Sequence, residues 1–185
     1  MEDYRINTNY AKALFLVAAE TNQLDAVNDD MRLVYSVCNE NRTLNVVFAN
    51  PVIREGKKVA ILQDLFASRV SKVTMLFLSF VVRKRRAVNL RGISNAFIEL
   101  YRKDRNIMLT ELVTASEPDS AILDTVSKVI GEYAHKEIEL HNKVDQSILG
   151  GFSIAFDNNM YDARLSTQIA KLHKEFSKNV YESKL

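Results

Sequence analysis

The 185-residue chain holds one cysteine, two prolines, five glycines and no tryptophan. A single cysteine, Cys38, excludes an intramolecular disulfide framework and any zinc or iron–sulfur site built on several thiolates. It fits a reducing compartment. Scarce glycine and proline exclude a collagen-like or Pro/Gly-rich disordered chain and argue against a β-sandwich with many tight turns. Long apolar runs are missing too. The longest, 73–82, is broken by Thr74 and Ser79 and falls short of the ~20 residues that span a bilayer. At a membrane, such a chain would be held there by another protein. The opening MEDYRINTNY has neither the apolar core of a secretory signal nor the Arg/Ser-rich, acid-poor composition of a transit peptide.

What is present is charge of both signs, unevenly placed. Residues 1–105 carry 17 Lys and Arg against 11 Asp and Glu, and residues 106–185 carry 8 against 12. The sign change near 105 suggests two units with different partners.

The first stretch reads as short amphipathic helices. Tyr10, Ala11, Leu14, Phe15 and Ala18 share one helical face. Thr21-Asn22-Gln23 interrupts it, and Leu24, Val27, Met31, Val34, Tyr35 and Cys38 restart it. Cys38 therefore reads as a buried, inert thiol. A short element over 44–49 stops at Asn50-Pro51, because the residue before proline is pushed out of the α region. A fourth helix covers about 54–66. Ser71 is a candidate N-cap for a fifth. Its main stripe is Val73, Leu76, Phe77, Phe80 and Val81, while Met75, Leu78 and Val82 fill much of the rest. A helix so apolar all round is either buried on every side or covered on one side by a partner. Four basic residues at 83–86 suit its C-terminus. A sixth helix runs from about 88 to 103 on Leu90, Ile93, Phe97 and Tyr101. The fold class expected is mainly α: a six-helix bundle over 1–105, then a small α/β module.

After Arg105 the period changes. Ile107–115 alternates as a strand does. Ser116-Glu117-Pro118 is expected to open a helix with Ser116 as cap, on a face of Ile122, Val126, Val129, Ile130 and Tyr133. Ile138, Leu140 and Val144 predict a half-buried strand, and Phe152, Ile154 and Phe156 another, ended by a turn at Asp157-Asn158-Asn159. Asp162 is read as the cap of a last helix carrying Leu165, Ile169, Leu172 and Phe176, whose face is core or partner contact. Residues 106–185 are thus expected to be a β-α-β-β-α module.

Catalytic constellations are poor. His135, His141 and His173 lack metal-ligand spacing. No nucleophile elbow, dinucleotide fingerprint or phosphate loop occurs. Gly150-Gly151 reads as a bulge or a close backbone approach before a strand. Glu137 and Glu139 share a strand face beside Lys143 and read as solvated. The basic 83–86 run with Arg91 is a weak nucleic-acid candidate, because few aromatics surround it and total charge is near zero.

The ordered motifs resemble one family. Tyr10-Ala11-Lys12-Ala13-Leu14-Phe15 resembles the Y-A-x-A-L-F opening of the delta subunit of F-type ATP synthases, called the oligomycin sensitivity conferral protein in mitochondria. Asn50-Pro51-Val52-Ile53, followed by Lys57 or Lys58 and Ile61-Leu62, is similar to its N-P-x-I…K…L segment. Phe80, Arg85-Arg86, Leu90, Ile93, Phe97 and Leu100-Tyr101 follow its L…R…L…I…F…L block. Val113-Thr114-Ala115-Ser116 matches the strand before the second-domain helix. Asp145-Gln146-Ser147-Ile148-Leu149-Gly150-Gly151-Phe152 resembles D-P-x-L-I-G-G-F, and Asp162-Ala163-Arg164-Leu165 resembles the closing D-x-S-V/L. The departures are Gln146 for proline, Arg164 for serine and Asn158-Asn159 for Gly-Asp.

The resemblance implies a stator subunit without catalytic residues, cofactor or metal. Residues 1–105 would bind the catalytic head through the N-terminal helices of alpha subunits, and 106–185 would bind the peripheral stalk of b subunits. It implies a groove between helices one and five, with Tyr10, Ala13, Leu14 and Val17 on one wall and Leu76, Phe80 and Arg83 on the other. Gly150, Gly151 and Asp162 would shape the second module. It further implies indirect membrane association on the cytoplasmic side of a bacterial inner membrane, and no nucleic acid. Two readings stand beside it: an unrelated helical adaptor, including a nucleic-acid-associated one, and an enzyme with an unrecognised site.

Overall fold

The computed structural model describes residues 2–145, 148–156 and 159–177. Gln146, Ser147 and the turn read at Asp157 and Asn158 lie outside the described residues. Among those residues the chain is mainly helical with one small four-stranded sheet. It divides into two compact units, Met1–Arg105 and Asn106–Leu185.

The first unit contains α1 (Glu2–Glu20), α2 (Leu24–Glu40), α3 (Arg42–Ala49), α4 (Glu55–Phe66), α5 (Lys72–Arg83), a 3-10 turn (Ala87–Asn89) and α6 (Leu90–Asp104). Its core takes Ala11, Leu14 and Ala18 from α1, Val27, Met31, Val34 and Cys38 from α2, Phe48 from α3, and Leu62 and Phe66 from α4. Leu78, Val81 and Val82 join from α5, and Leu90, Ile93 and Phe97 from α6. Both α1 and α2 pack on α6, and α4 packs on α5.

The helix ends explain how so few glycines suffice. Asn22 holds φ 52° beyond α1. There Gln23 N–H donates to Ala18 and Asn22 N–H to Ala19, the paired bonds of a Schellman stop. Arg85, at φ 61°, repeats the motif beyond α5 with Arg86 to Val81 and Arg85 to Val82. At the other end of α5, Ser71 Oγ accepts from Thr74 N–H at 3.3 Å. The Asp30 carboxylate of α2 accepts from Ser71 N–H at 2.9 Å and Thr74 Oγ1 at 2.7 Å. A buried carboxylate at a helix N-terminus satisfies free N–H groups and opposes the helix dipole.

The second unit contains β1 (Ile107–Thr114), α7 (Ser120–Ala134), β2 (Glu137–Val144), β3 (Phe152–Phe156), β4 (Asn159–Asp162) and α8 (Leu165–Ser177). The strand order is β2-β1-β3-β4. β1 and β2 are parallel, joined through α7, and the other pairs are antiparallel. The register aligns Met108 with Ile138 and Leu112 with Ile154 on one face, where Ile130 of α7 packs.

Four expectations are corrected here. The module is β-α-β-β-β-α, because Asn159 opens β4 rather than closing a turn. α7 starts at Ser120 with Asp119 as cap, not Ser116, since the Asp119 carbonyl accepts the first helical N–H groups, from Ile122 and Leu123. The core face of α7 is Leu123, Val126 and Ile130, and Ile122, Val129 and Tyr133 point outward. Asp162 ends β4 instead of capping α8, where the Arg164 carbonyl takes the first helical bonds, from Thr167 and Gln168.

Candidate partner-binding grooves

α1 and α5 leave an almost wholly apolar groove of about 600 Å³ in the first unit. Ala11, Leu14 and Ala18 turn one face of α1 into the core. The adjoining face presents Tyr10, Ala13 and Val17 to the groove, with the edge of Leu14. On α5 the core takes Thr74, Leu78, Val81 and Val82. That leaves Val73, Leu76, Phe77 and Phe80 as the opposite wall. Leu76 is 73% exposed and Phe80 48%. Of the stripe read as the main face of the fifth helix, Val81 is therefore core, Val73 and Phe77 are half-buried, and Leu76 and Phe80 are uncovered.

Tyr10 and Phe80 face each other across the groove with ring centres 6.3 Å apart. Lys84 Nζ lies 5.5 Å from the centre of the Phe80 ring. This is the geometry that helix-in-groove recognition uses: an apolar trough, a small residue where a backbone can approach, and aromatic anchors.

Six of the seven residues expected at this groove line it together: Tyr10, Ala13, Leu14, Val17, Leu76 and Phe80. Arg83 does not. It lines a neighbouring trough between α4 and α5, which shares Leu76 and Phe80. Asn9, Val73 and Phe77 complete the groove. Spacing four apart along the fifth helix marks Val73 and Phe77, whereas nothing in the sequence singles out Asn9.

A second apolar trough, of about 570 Å³, lies in the other unit between α7 and strands β3 and β4. α7 packs on β2, so β3 and β4 are left partly open on the same sheet face. Val129 and Tyr133 of α7 meet Phe152, Phe156 and Tyr161 there. Tyr133 packs edge-on to Phe156 at 6.4 Å, and Phe152 lies 6.2 Å from Tyr161. Reading Val129 and Tyr133 as core hid this surface. α8 adds a third apolar face: Leu165, Ile169, Leu172 and Phe176 are all exposed.

Gly150 and Gly151 lead into β3 with φ of 153° and 82°. A Cβ at Gly151 would run into the Ala163 carbonyl, and one at Gly150 would lie 2.8 Å from Leu165 Cδ1. Both hold the chain against the start of α8. Asp162 fixes that corner. It accepts a forked pair from Arg164 Nε at 3.0 Å and Nη2 at 2.6 Å, Arg164 N–H at 3.0 Å and Thr167 Oγ1 at 3.0 Å. The Arg164 bonds hold the Asp162 carboxyl well below the usual carboxylate range.

No three His, Cys, Asp or Glu side chains gather as a metal cluster among the described residues. Burial pushes the Cys38 thiol up to about 11. No described helix is long and apolar enough to cross a membrane.

A family model described as the ATP synthase delta (OSCP) subunit matches residues 6–176. The chain belongs to this family. ATP synthase subunit delta of Cytophaga hutchinsonii is 34% identical over 180 residues, covering 97% of this chain and 98% of that one. The same subunit of Lactobacillus johnsonii is 33% identical, covering 94% and 96%. A chain in the cryo-EM structure of the Toxoplasma gondii mitochondrial ATP synthase hexamer shares the fold, with a TM-score of 0.70 at 22% identity over 92% of this chain. This delta-family chain is a stator component of an F-type ATP synthase and not a catalytic subunit. The adaptor reading gains no support.

Proposed function

We propose that this delta-family chain ties the catalytic head of its ATP synthase to the peripheral stalk, so that the head does not turn with the rotor during proton-driven synthesis. In this reading residues 1–105 are a six-helix bundle that holds N-terminal helices of alpha subunits. Residues 106–185 are the module that grips the b subunits. Membrane association is then indirect, through the complex, at the cytoplasmic face of a bacterial inner membrane.

The observation that carries the reading is the uncovered α1/α5 groove in a chain of this family. A static link must stay bound under load and needs no reactive group. Apolar burial supplies non-directional attraction of about 25 cal/mol per Å², and polar rims supply register. Small Ala13 admits a backbone, while Tyr10, Leu76 and Phe80 offer anchors. The α7/β3/β4 trough and the α8 face are the candidate grips for the stalk, with Gly150, Gly151 and Asp162 shaping the strand and helix between them.

The test is calorimetric titration of the full chain with a peptide of roughly 25 residues, long enough as a helix to span the groove, from the N-terminus of the same organism's alpha subunit. A one-to-one complex with negative heat-capacity change is expected. Ala13→Asp is expected to abolish it while leaving the helical signal intact. Unchanged affinity in that variant would remove the groove from the function.

A further inference from the structure

The trough between α4 and α5 extends the groove and differs from it in charge. Leu76 and Phe80 line both, so they form a ridge separating two parallel lanes. With Lys72 before them and Lys84 after, they make a row spaced four apart along α5. Rows of this spacing are the ridges by which helices pack into each other's grooves. A helix laid on this ridge places one row of side chains in the α1/α5 groove and the next in the α4/α5 lane.

The α4/α5 lane has a floor of Val59, Met75 and Ser79 and holds about 450 Å³. Lys72 stands at one end and Arg83 at the other, about 16 Å apart along the helix. No carboxylate lines either lane. Three arginines elsewhere in the chain are held by carboxylates: Arg85 by Glu55, Arg105 by Asp25 and Arg164 by Asp162. Among the described residues, the side chains of Lys72 and Arg83 have neither an ion-pair nor a hydrogen-bond partner. Both are exposed.

We infer that the α4/α5 lane receives the acidic flank of the same helix that fills the α1/α5 groove, with Asp or Glu side chains about three turns apart meeting Lys72 and Arg83. This rests on the groove reading above. The apolar row gives the helix its attraction to the groove. The charged flank sets its direction and register, because reversing the helix or sliding it one turn withdraws its carboxylates from the two cations. Lys84, over the Phe80 ring, adds positive potential at the Arg83 end.

The experiment titrates the full chain and its Arg83→Glu, Lys72→Glu and Ala13→Asp variants with the alpha N-terminal peptide. Companion peptides carry each Asp or Glu changed singly to Lys. Circular dichroism checks that every variant is folded. At low salt, Arg83→Glu and Lys72→Glu are each expected to weaken binding about tenfold, and high salt is expected to shrink the loss. One peptide reversal restores binding to Arg83→Glu, and another, about three turns away, restores it to Lys72→Glu. Native affinity in both charge variants, with binding lost in Ala13→Asp, overturns the lane and leaves the groove standing. Losses that no single peptide reversal restores also overturn it. Native affinity in Ala13→Asp removes the groove, and the lane with it.

Discussion

Asn22, Arg85, Asn106 and His135 all hold left-handed backbone angles at the ends of helices. A side chain in that region costs ~1–2 kcal/mol, and glycine avoids the cost. His135 is exposed, and its bonds there are made by its backbone: its N–H donates to the Gly131 carbonyl, and its carbonyl accepts from Asn106 Nδ2 at 3.3 Å. His135→Gly keeps that carbonyl and relieves the backbone. It is expected to stabilise the second unit by about 0.5–1 kcal/mol in urea unfolding. Gly151→Ala is the converse, because φ 82° and the Ala163 carbonyl both oppose a Cβ. It is expected to lower the unfolding midpoint by the equivalent of about 1–3 kcal/mol. Asp162 adds a pH dependence. Its carboxyl titrates below the ordinary value of 3.8 because Arg164 and Thr167 donate to the charged form. A lowered folded value means the stabilisation is full above the unfolded value and fades as pH falls below it. Asp162→Asn is therefore expected to be less stable than the native chain near neutrality. The gap should close in strong acid, as read by urea midpoints across that range.

At the scale of elements, α5 and α8 show what uncovered apolar faces mean. α8 has a regular stripe of Leu165, Ile169, Leu172 and Phe176, and none of the four is buried. An exposed face of this kind contributes little to folding, so polar substitution there costs the fold about 0.5 kcal/mol or less. Ile169→Asp with Leu172→Asp is expected to leave the unfolding midpoint in place and to reduce co-purification of the chain with the stalk subunits. A fall in midpoint with stalk capture unchanged would assign that face to the fold instead. The helices and three of the strands were legible in the sequence because each repeats apolar residues at the period of its own geometry. β4 was not, since Asn159–Asp162 is four residues long and offers only Met160 and Tyr161 as apolar signal. Which side of a helix is core was legible on α2 and α6, where the other side is polar, and on α1, where Ala11, Leu14 and Ala18 are buried as read. On α5 the apolar residues surround the axis, and the buried side includes Thr74, fully inaccessible and bonded to Asp30. A polar residue serving a helix start inside the core is invisible to a hydrophobic count. For the same reason the groove residues Ala13 and Val17 came from the family resemblance rather than from periodicity.

For the whole molecule, the two units have separate apolar cores, one spread over the six helices of residues 1–105 and the other built on Met108, Leu112, Ile130 and Ile154. Each side of the chain end that joins them is tied to its own unit. Arg105 donates to Asp25 at 2.8 Å, the Asp25 carboxylate also takes the Tyr101 hydroxyl at 2.7 Å, and Asn106 is bonded to the His135 carbonyl. In the proposed function, the chain joins two non-covalent grips in series. The weaker grip then limits the link, and strengthening only one of them gains nothing. Separate cores also mean that each grip is set within its own unit. A fragment of residues 1–105 is therefore expected to keep the helical signal of that unit and to bind the alpha peptide with the affinity of the full chain, within about twofold. A fragment that is folded but binds tenfold more weakly would show that the second unit helps to form the head-binding surface, and the function would no longer divide at residue 105.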